Sequence, residues 1–352
     1  MNPEVSVIIT AYNTETYIAQ AIESALGQTE ENLEVILVDN ASTDDTGKIA
    51  RGFVDKRLKI LVNQKNLGVS AALNRALREA KGKWVTRLDS DDWYAPQRLE
   101  KLLQVAYAED ADMVADDLYL IQDGKKHPWS TLLSESGERV EKIKQIDPAY
   151  FVETDVYGQK GLHLGLSIPL FKRDFLVQHG IEYDENLLRS PDFWLDVKCL
   201  AHGARFFLVP EPYYFHRFRQ GSITAGSKVK HINEFSRANL YYLQQECVKR
   251  NSALVSALSK HQTLIEKTIP YYRVIDRLKE RELLAGLIEM VRNPYFFLHF
   301  IMQLPGILSR RLRYCFSRIT INNENNYKQK ITLFHLLKAV SEKQLLNINK
   351  TS

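Results

Sequence analysis

With 352 residues, 45% of them hydrophobic, the chain can bury a sizeable core as one large domain with an appendage or as two domains, which excludes a disordered or fibrous protein. Its 47 basic and 43 acidic side chains leave a formal net charge of +4, too balanced for nucleic-acid binding over the whole surface. Cys199, Cys247 and Cys315 stand far apart without C-x-x-C spacing, which points to neither a disulfide framework nor a zinc site and suits a reducing cytosol, and the opening MNPEVSVIIT does not read as a secretory leader.

In chain order, VSVIIT (5–10) and LEVILVD (33–39) are short β-branched runs of the kind buried on both faces of a sheet. Between them Ile18, Ile22 and Leu26 recur at helical spacing, with Asn13 or Thr14 placed to cap the start and Gly27 to end it. LKILVN (58–63) predicts a third strand. Leu73, Ala76, Leu77 and Ala80 predict a helix closed by Gly82, and KWVTRLD a fourth strand. Pro96 then opens a further helix whose apolar stripe is Leu99, Leu102, Leu103 and Ala106. Alternating strands and helices predict an α/β fold with a mostly parallel sheet covered on both sides, which binds ligands at the carboxyl ends of its strands. The loops to watch are therefore TAYN, DNASTDD, NQKNLG and DSDD; neither G-x-G-x-x-G nor G-x-x-x-x-G-K-[ST] is among them.

Asp89, Asp91 and Asp92 fall within four positions at the end of the fourth strand. Such carboxylates suit Mg²⁺ or Mn²⁺, which takes one or two protein oxygens and completes its shell with substrate phosphate. The same aspartates can instead cap the helix near Pro96, and an EF-hand is disfavoured by Tyr94 where a glycine is required. Asp39 either accepts the imide N–H of a uracil ring or simply terminates its strand, and Tyr12 either stacks on a base or packs on its own helix. Ser42, Asp44 and Asp45 are expected to cap the next helix.

Taken together, SVIITAYNTETYIAQAIESALGQ, EVILVDNASTDDT, NLGVSAALNRAL and GKWVTRLDSDDWYAPQRLE resemble the ordered signature segments of family 2 glycosyltransferases, inverting enzymes with the GT-A fold. A second stretch, from LSIPLFKRDF through RSPDFWLDVKCLA to YYFHRFRQGSIT, resembles the acceptor-side half, so the likeness spans roughly residues 4 to 225. It implies a Rossmann-like, GT-A type domain over 1–225, divided into a nucleotide-sugar half (1–115) and an acceptor half (116–225), with a helical extension over 226–352. It further implies nucleotide contacts from Thr10, Ala11, Tyr12, Asn13, Asp39, Asn66, Asp89 and Ser90. A metal held by Asp91 first, with Asp89 and Asp92 assisting, and diphosphate or acceptor contacts from Arg217 and Arg219 complete the donor side. Asp192 is implied as the catalytic base, with Pro191 where the family usually has Glu; its alternative is a plain N-cap of α-helical FWLDVKCLA.

The resemblance thus implies inverting transfer of a hexose from a UDP-sugar, with UDP-glucose as the leading candidate, to a saccharide or lipid-linked acceptor in surface polysaccharide synthesis. Two rivals are a sugar nucleotidyltransferase and a nucleotide-sugar-binding scaffold that has lost catalysis. Residues 122–148 lack periodicity and read as a segment over the acceptor or a surface insertion, with His127 and Trp129 available to a sugar. NPYFFLHFIMQLPGILSRRLRYCFSRI (293–319) is too short and interrupted to span a bilayer. Its aromatic and basic character suits a peripheral site on the cytoplasmic face of a membrane, or a buried helix or dimer contact. Oligomeric state is not readable from the sequence.

Overall fold

A computed structural model describes residues 2–156, 161–187, 190–219 and 228–293, with positions 296, 297, 300, 301 and 304. The chain forms two compact units, Met1–Arg292 and Asn293–Ser352, and the strands and helices named here lie in the first. The aromatic and basic stretch at 293–319 falls almost wholly outside the described residues. Among the described residues no helix is long and apolar enough to cross a membrane.

The opening third alternates as its periodicity predicts. Strand β1 (Val5–Ala11) leads to α1 (Ile18–Leu26), β2 (Leu33–Asp39), α2 (Thr46–Arg51), β3 (Leu58–Val62), α3 (Val69–Glu79) and β4 (Trp84–Asp89). β2 and β4 flank β1 in parallel and β3 lies outside β2. Because successive strand residues face opposite sides, Ile8, Ile36 and Val85 enter the core under α3, while Val7, Ile9 and Leu37 enter the core under α1. The register sets Thr10 opposite Asp89, and Ala11 opposite Asp39, so the polar strand ends share one edge.

The rest of the sheet is assembled from distant segments. A short β5 (Trp93–Tyr94) precedes α4 (Arg98–Ala108), and β6 (Met113–Gln122) pairs with β7 (Ser130–Thr131) before α5 (Leu132–Ser136), β8 (Lys144–Ile146) and α6 (Pro148–Glu153). β9 (Leu170–Lys172) then enters antiparallel between β4 and β6, a mixed pairing that local periodicity does not reveal. α7 (Arg173–His179), α8 (Pro191–Ala201) and the long β10 (Phe206–Phe218) follow. β10 runs parallel to β6, and a register shift between Val209 and Tyr214 accommodates Pro210 and Pro212, which have no N–H to give.

Asp116 of β6 holds that irregular stretch. Its Oδ2 accepts the Tyr213 backbone N–H at 3.1 Å, and Oδ1 lies 2.8 Å from Arg98 Nη2 in an ion pair with no solvent exposure on either side chain. The Arg98 guanidinium also covers the rings of Tyr94 and Tyr214 at 4.4 and 5.2 Å.

Helices α9 (Lys228–Leu243), α10 (Glu246–Lys249), α11 (Ser252–Lys279) and α12 (Leu283–Arg292) complete the unit. Ala238, Tyr242, Leu254, Ala257 and Leu258 share a core with Phe193, Trp194 and Phe206. The segment from 226 onward is therefore divided near residue 292, because its first helices bury their apolar faces against α8 and the sheet's own core.

Candidate active site

The first two strand-end loops are laced to each other. Asn13, at φ 53°, accepts the Thr43 N–H on Oδ1 at 2.8 Å, and its own N–H donates to Ser42 Oγ at 3.1 Å. Thr14 N–H donates to Thr46 Oγ1, Glu15 N–H to Asp44 Oδ2, and Asp45 N–H to Glu15 Oε2. The expected caps take a different form here. α1 begins at Tyr17 without a side-chain cap, its first N–H groups reaching the Thr14 carbonyl, and on α2 only Asp44 acts locally, accepting Thr46 N–H at 3.0 Å. The side chains bind the opposite loop because that fixes two strand ends at once.

Asp39 is held within this framework. Its Oδ1 accepts Ser42 N–H at 2.9 Å, and a Cβ on Gly47 would meet Oδ2 at 2.4 Å, so only glycine leaves that oxygen its place. Next to it, Asn40 orders the third loop: Oδ1 accepts from Asn63 Nδ2 and Leu67 N–H, while Nδ2 donates to Asn66 Oδ1 at 3.0 Å. Tyr12 stands 46% exposed above the edge, with Thr10 and Ala11 at the end of β1 below it.

The aspartate trio divides into three environments. Asp92, 2% exposed, is taken up by β10: Oδ1 accepts the Arg217 backbone N–H at 2.7 Å, and Oδ2 meets Tyr214 OH at 2.9 Å and His216 Nδ1 at 3.1 Å. Burial would lower the His216 pKa, but the Asp92 carboxylate outweighs it and raises it. Asp91 keeps about a fifth of its side chain exposed and receives Arg219 Nε on Oδ2. Asp89 reaches solvent with about a third of its side chain; crowding by protein, with Asp92, Asp91 and Asp192 adding like charge against the pull of Arg87, pushes its carboxyl up to about 7. None of the three caps α4, and Ser90 between them is buried.

Arg217 is likewise engaged in structure. It donates from Nε to the Asp91 carbonyl at 2.7 Å, from Nη2 to Gln20 Oε1 at 2.6 Å, and from Nη1 to Asp123 Oδ1 at 3.2 Å. Its guanidinium lies between the rings of Tyr17 and Trp93, 4.9 and 4.6 Å from their centroids. Arg217 of β10 and Arg219 just after it thus clasp the loop carrying Asp91, one by its backbone and one by its carboxylate. Beside this end of β10, His127 and Trp129 line an open cleft of about 480 Å³, with Trp129 edge-on to Phe218.

Asp192 opens α8 as its second residue, after Ser190 turns at φ 52° and Pro191 sets the first helical position. Its carboxylate does not cap the helix. Oδ1 sits 2.7 Å from Arg87 Nη1, while Arg87 Nη2 sits 3.1 Å from Asp89 Oδ2, so one guanidinium joins the carboxylates of β4 and α8. Burial raises the Asp192 pKa, opposed by Arg87. Arg87 and the β10 anchors Tyr214 and His216 did not emerge from motif reading. A lone cation inside the apolar KWVTRLD strand is the signal that marks Arg87; the anchors depend on a pairing 122 residues away.

Among the described residues no group of three or more His, Cys, Asp or Glu side chains is arranged to hold a metal ion by itself. Asp91 and Asp89 offer at most two partly exposed carboxylates at the strand edge. That donor set fits a hard cation whose remaining ligands come from a diphosphate.

The structure thus presents a mostly parallel sheet with acidic and amide-rich loops along one carboxyl edge, and a helix-borne aspartate joined to that edge through Arg87. Residues 6–176 match the model of "Glycosyl transferase family 2". The chain is 32% identical over 244 residues to the succinoglycan biosynthesis protein ExoU of Rhizobium meliloti, covering 67% of this chain and 69% of that one. It is 28% identical over 311 residues to ExoO of the same organism, covering 88% and 87%. The chain therefore belongs to glycosyltransferase family 2 and is a glycosyltransferase of the EC 2.4 class. Its fold is shared with Staphylococcus aureus TarS 1–349 in complex with UDP (TM-score 0.55, 21% identity, covering 74% and 72%). The mannosyltransferase PcManGT of Pyrobaculum calidifontis in complex with GDP-Man and Mn²⁺ shares it too (TM-score 0.55, 18% identity, covering 85% and 84%).

Proposed function

We propose that the protein transfers a hexose, with inversion, from a UDP-sugar to a saccharide or lipid-linked saccharide acceptor during surface polysaccharide synthesis. The observation that carries this reading is the Arg87 bridge, which joins Asp192 of α8 to Asp89 of β4 through contacts of 2.7 and 3.1 Å. Direct displacement at an anomeric carbon needs a base beside the acceptor hydroxyl and charge stabilisation at the leaving diphosphate. Two carboxylates on opposite sides of one guanidinium supply separate positions for these tasks.

Asp192 takes the acceptor proton. Arg87 orients it, and because a guanidinium stays charged it also favours the anionic, basic form of the carboxylate. Asp39 receives the uracil ring with Tyr12 stacked above, and Asn66, tethered by Asn40, borders the ribose side. Asp91, with Asp89, would hold Mn²⁺ or Mg²⁺, which neutralises developing charge on the diphosphate when bound. Asp92 serves this site as an anchor: both of its oxygens already accept hydrogen bonds. Arg219 is placed to leave Asp91 for the diphosphate, while Arg217 fixes the loop. Trp129 offers an aromatic face to the acceptor sugar at the cleft beside Phe218.

The ExoO and ExoU names support a polysaccharide acceptor, the TarS complex supports UDP, and the PcManGT complex supports a divalent ion. The test is release of nucleotide from a panel of UDP- and GDP-sugars with saccharide acceptors, with Mn²⁺ and with a chelator. UDP release that needs the metal and yields product of inverted anomeric configuration is the expected result. A retained configuration, or release of GDP alone, would overturn the mechanism or the donor, respectively.

A further inference from the structure

One buried carboxylate has no part in the site just described. Asp196 lies one helical turn after Asp192 on the same face of α8 and is 1% exposed. Among the described residues neither of its side-chain oxygens has a hydrogen-bond partner. It lines a cavity of about 10 Å³ together with Arg87, Ser167, Tyr183 and Asp192. Arg87 Nε is also buried without a partner. A space of this size holds about one water molecule, provided that two to four polar groups surround it. Arg87 Nε can donate there, and the carboxyls of Asp192 and Asp196 and the Ser167 hydroxyl can accept.

The charges around the cavity decide the state of Asp196. β4 presents Arg87 and Asp89, the segment after α6 presents Asp155, Tyr183 precedes α8, and Cys199 lies on α8 itself. Asp155 is occupied by His163 Nδ1 at 3.2 Å and Gly165 N–H at 2.7 Å, and Lys198 Nζ turns away to the Glu182 carbonyl. Arg87 already divides its charge between Asp89 and Asp192. Among the described residues, a second anion beside Asp192 would be buried without a cation of its own. Burial first, and then the Asp192 charge, push the Asp196 carboxyl well above the usual range.

We propose that Asp196 is a positioning residue for the transfer reaction: a neutral carboxylic acid that keeps its proton and donates a hydrogen bond, through a water bound in this cavity, to Asp192 and so holds Asp192 as an oriented, anionic base. This rests on the reading of Asp192 as the base. A protonated carboxyl has one O–H to give, and the Asp192 carboxylate lines the same cavity. Hydrogen bonding to the charged form favours that form. The arrangement thus offsets the burial that works against Asp192 as an anion.

The test compares the wild type with Asp196→Asn and Asp196→Leu. Asn keeps a donor, whereas Leu has the branching of Asp without polar atoms. The acid limb of kcat/KM for nucleotide release is expected to stay in place for Asp196→Asn and to move up by about one pH unit for Asp196→Leu, the scale of a lost hydrogen bond to a charged group. Difference infrared spectroscopy should show a buried protonated carboxylic acid at neutral pH in the wild type and lose it in both variants. A limb that moves down in Asp196→Leu means that Asp196 was an anion and overturns the proposal, as does a limb that stays fixed or a wild type without the infrared band. If the Leu variant does not fold, Asp196→Ala carries the same expectation. If the wild type acts on no nucleotide sugar, the functional reading fails by itself. The Asp192 carboxyl titration, followed by carbon-13 NMR and assigned by Asp192→Asn, then still decides whether removing Asp196 raises it.

Discussion

Asp92 and Asp196 are almost equally buried, at 2% and 1% exposure, yet their surroundings are opposite. Asp92 meets a tyrosine hydroxyl, a histidine ring and a backbone N–H, all from β10. Asp196 meets no hydrogen-bond donor among the described residues. The first arrangement ties the Asp91 loop to β10. The second keeps an unsatisfied group behind the proposed base, where an apolar residue would pack at least as well. A buried carboxylate with donors is thus a structural fastening, whereas one without them costs stability and calls for a functional reason.

The contrast can be broken at several points. The largest effect is expected where a buried charge would lose its cation: Arg98→Met strands Asp116 and should cost about 3–5 kcal/mol in urea unfolding. Asp92→Ala should cost about 2–3 kcal/mol by leaving Tyr214 OH and the Arg217 N–H without an acceptor, and it should slow nucleotide release because the Asp91 loop loses its mooring. Asp196→Leu should act in the other direction, raising stability by about 1 kcal/mol while impairing the acid side of the rate profile. Equal losses from the Asp92 and Asp196 substitutions would erase the distinction between them.

The smallest effect is a pH dependence. A carboxyl whose pKa is raised on folding contributes stability below its unfolded value, about 3.9 for Asp, and loses that contribution as pH rises through the folded value. Asp196 is shifted upward in this way. The melting temperatures of the wild type and Asp196→Asn should therefore be closest near pH 4, and the variant should gain on the wild type toward pH 8. A gap that narrows with rising pH would place the Asp196 shift in the opposite direction.

Much of the donor half could be read from the chain, because it rests on local signals. Short β-branched apolar runs mark the strands β1 to β4 and helical spacing marks α1, α3 and α4, and parallel sheets present their loops at one edge, which singled out Asp39 and the aspartate trio. The separate roles within the trio were not legible, since Asp92 is distinguished from Asp91 only by Tyr214, His216 and Arg217, more than 120 residues later. The same applies to β9, whose antiparallel insertion between β4 and β6 joins segments far apart in sequence. Asp196 reads as the polar face of an amphipathic helix until the packing of β4 and the 164–169 segment closes over it. Arg87 was legible in principle, as a cation in a buried strand, but its two partners lie on different elements.

In the proposed reaction Asp192, poised by Arg87, removes the acceptor proton while the donor is held elsewhere. Asp192→Asn measures it most directly, with transfer rate and UDP affinity determined on the same preparation. The expected result is a fall in kcat of about 10²–10⁴, the range for loss of a general base, with UDP binding unchanged. Undiminished transfer by Asp192→Asn would contradict it.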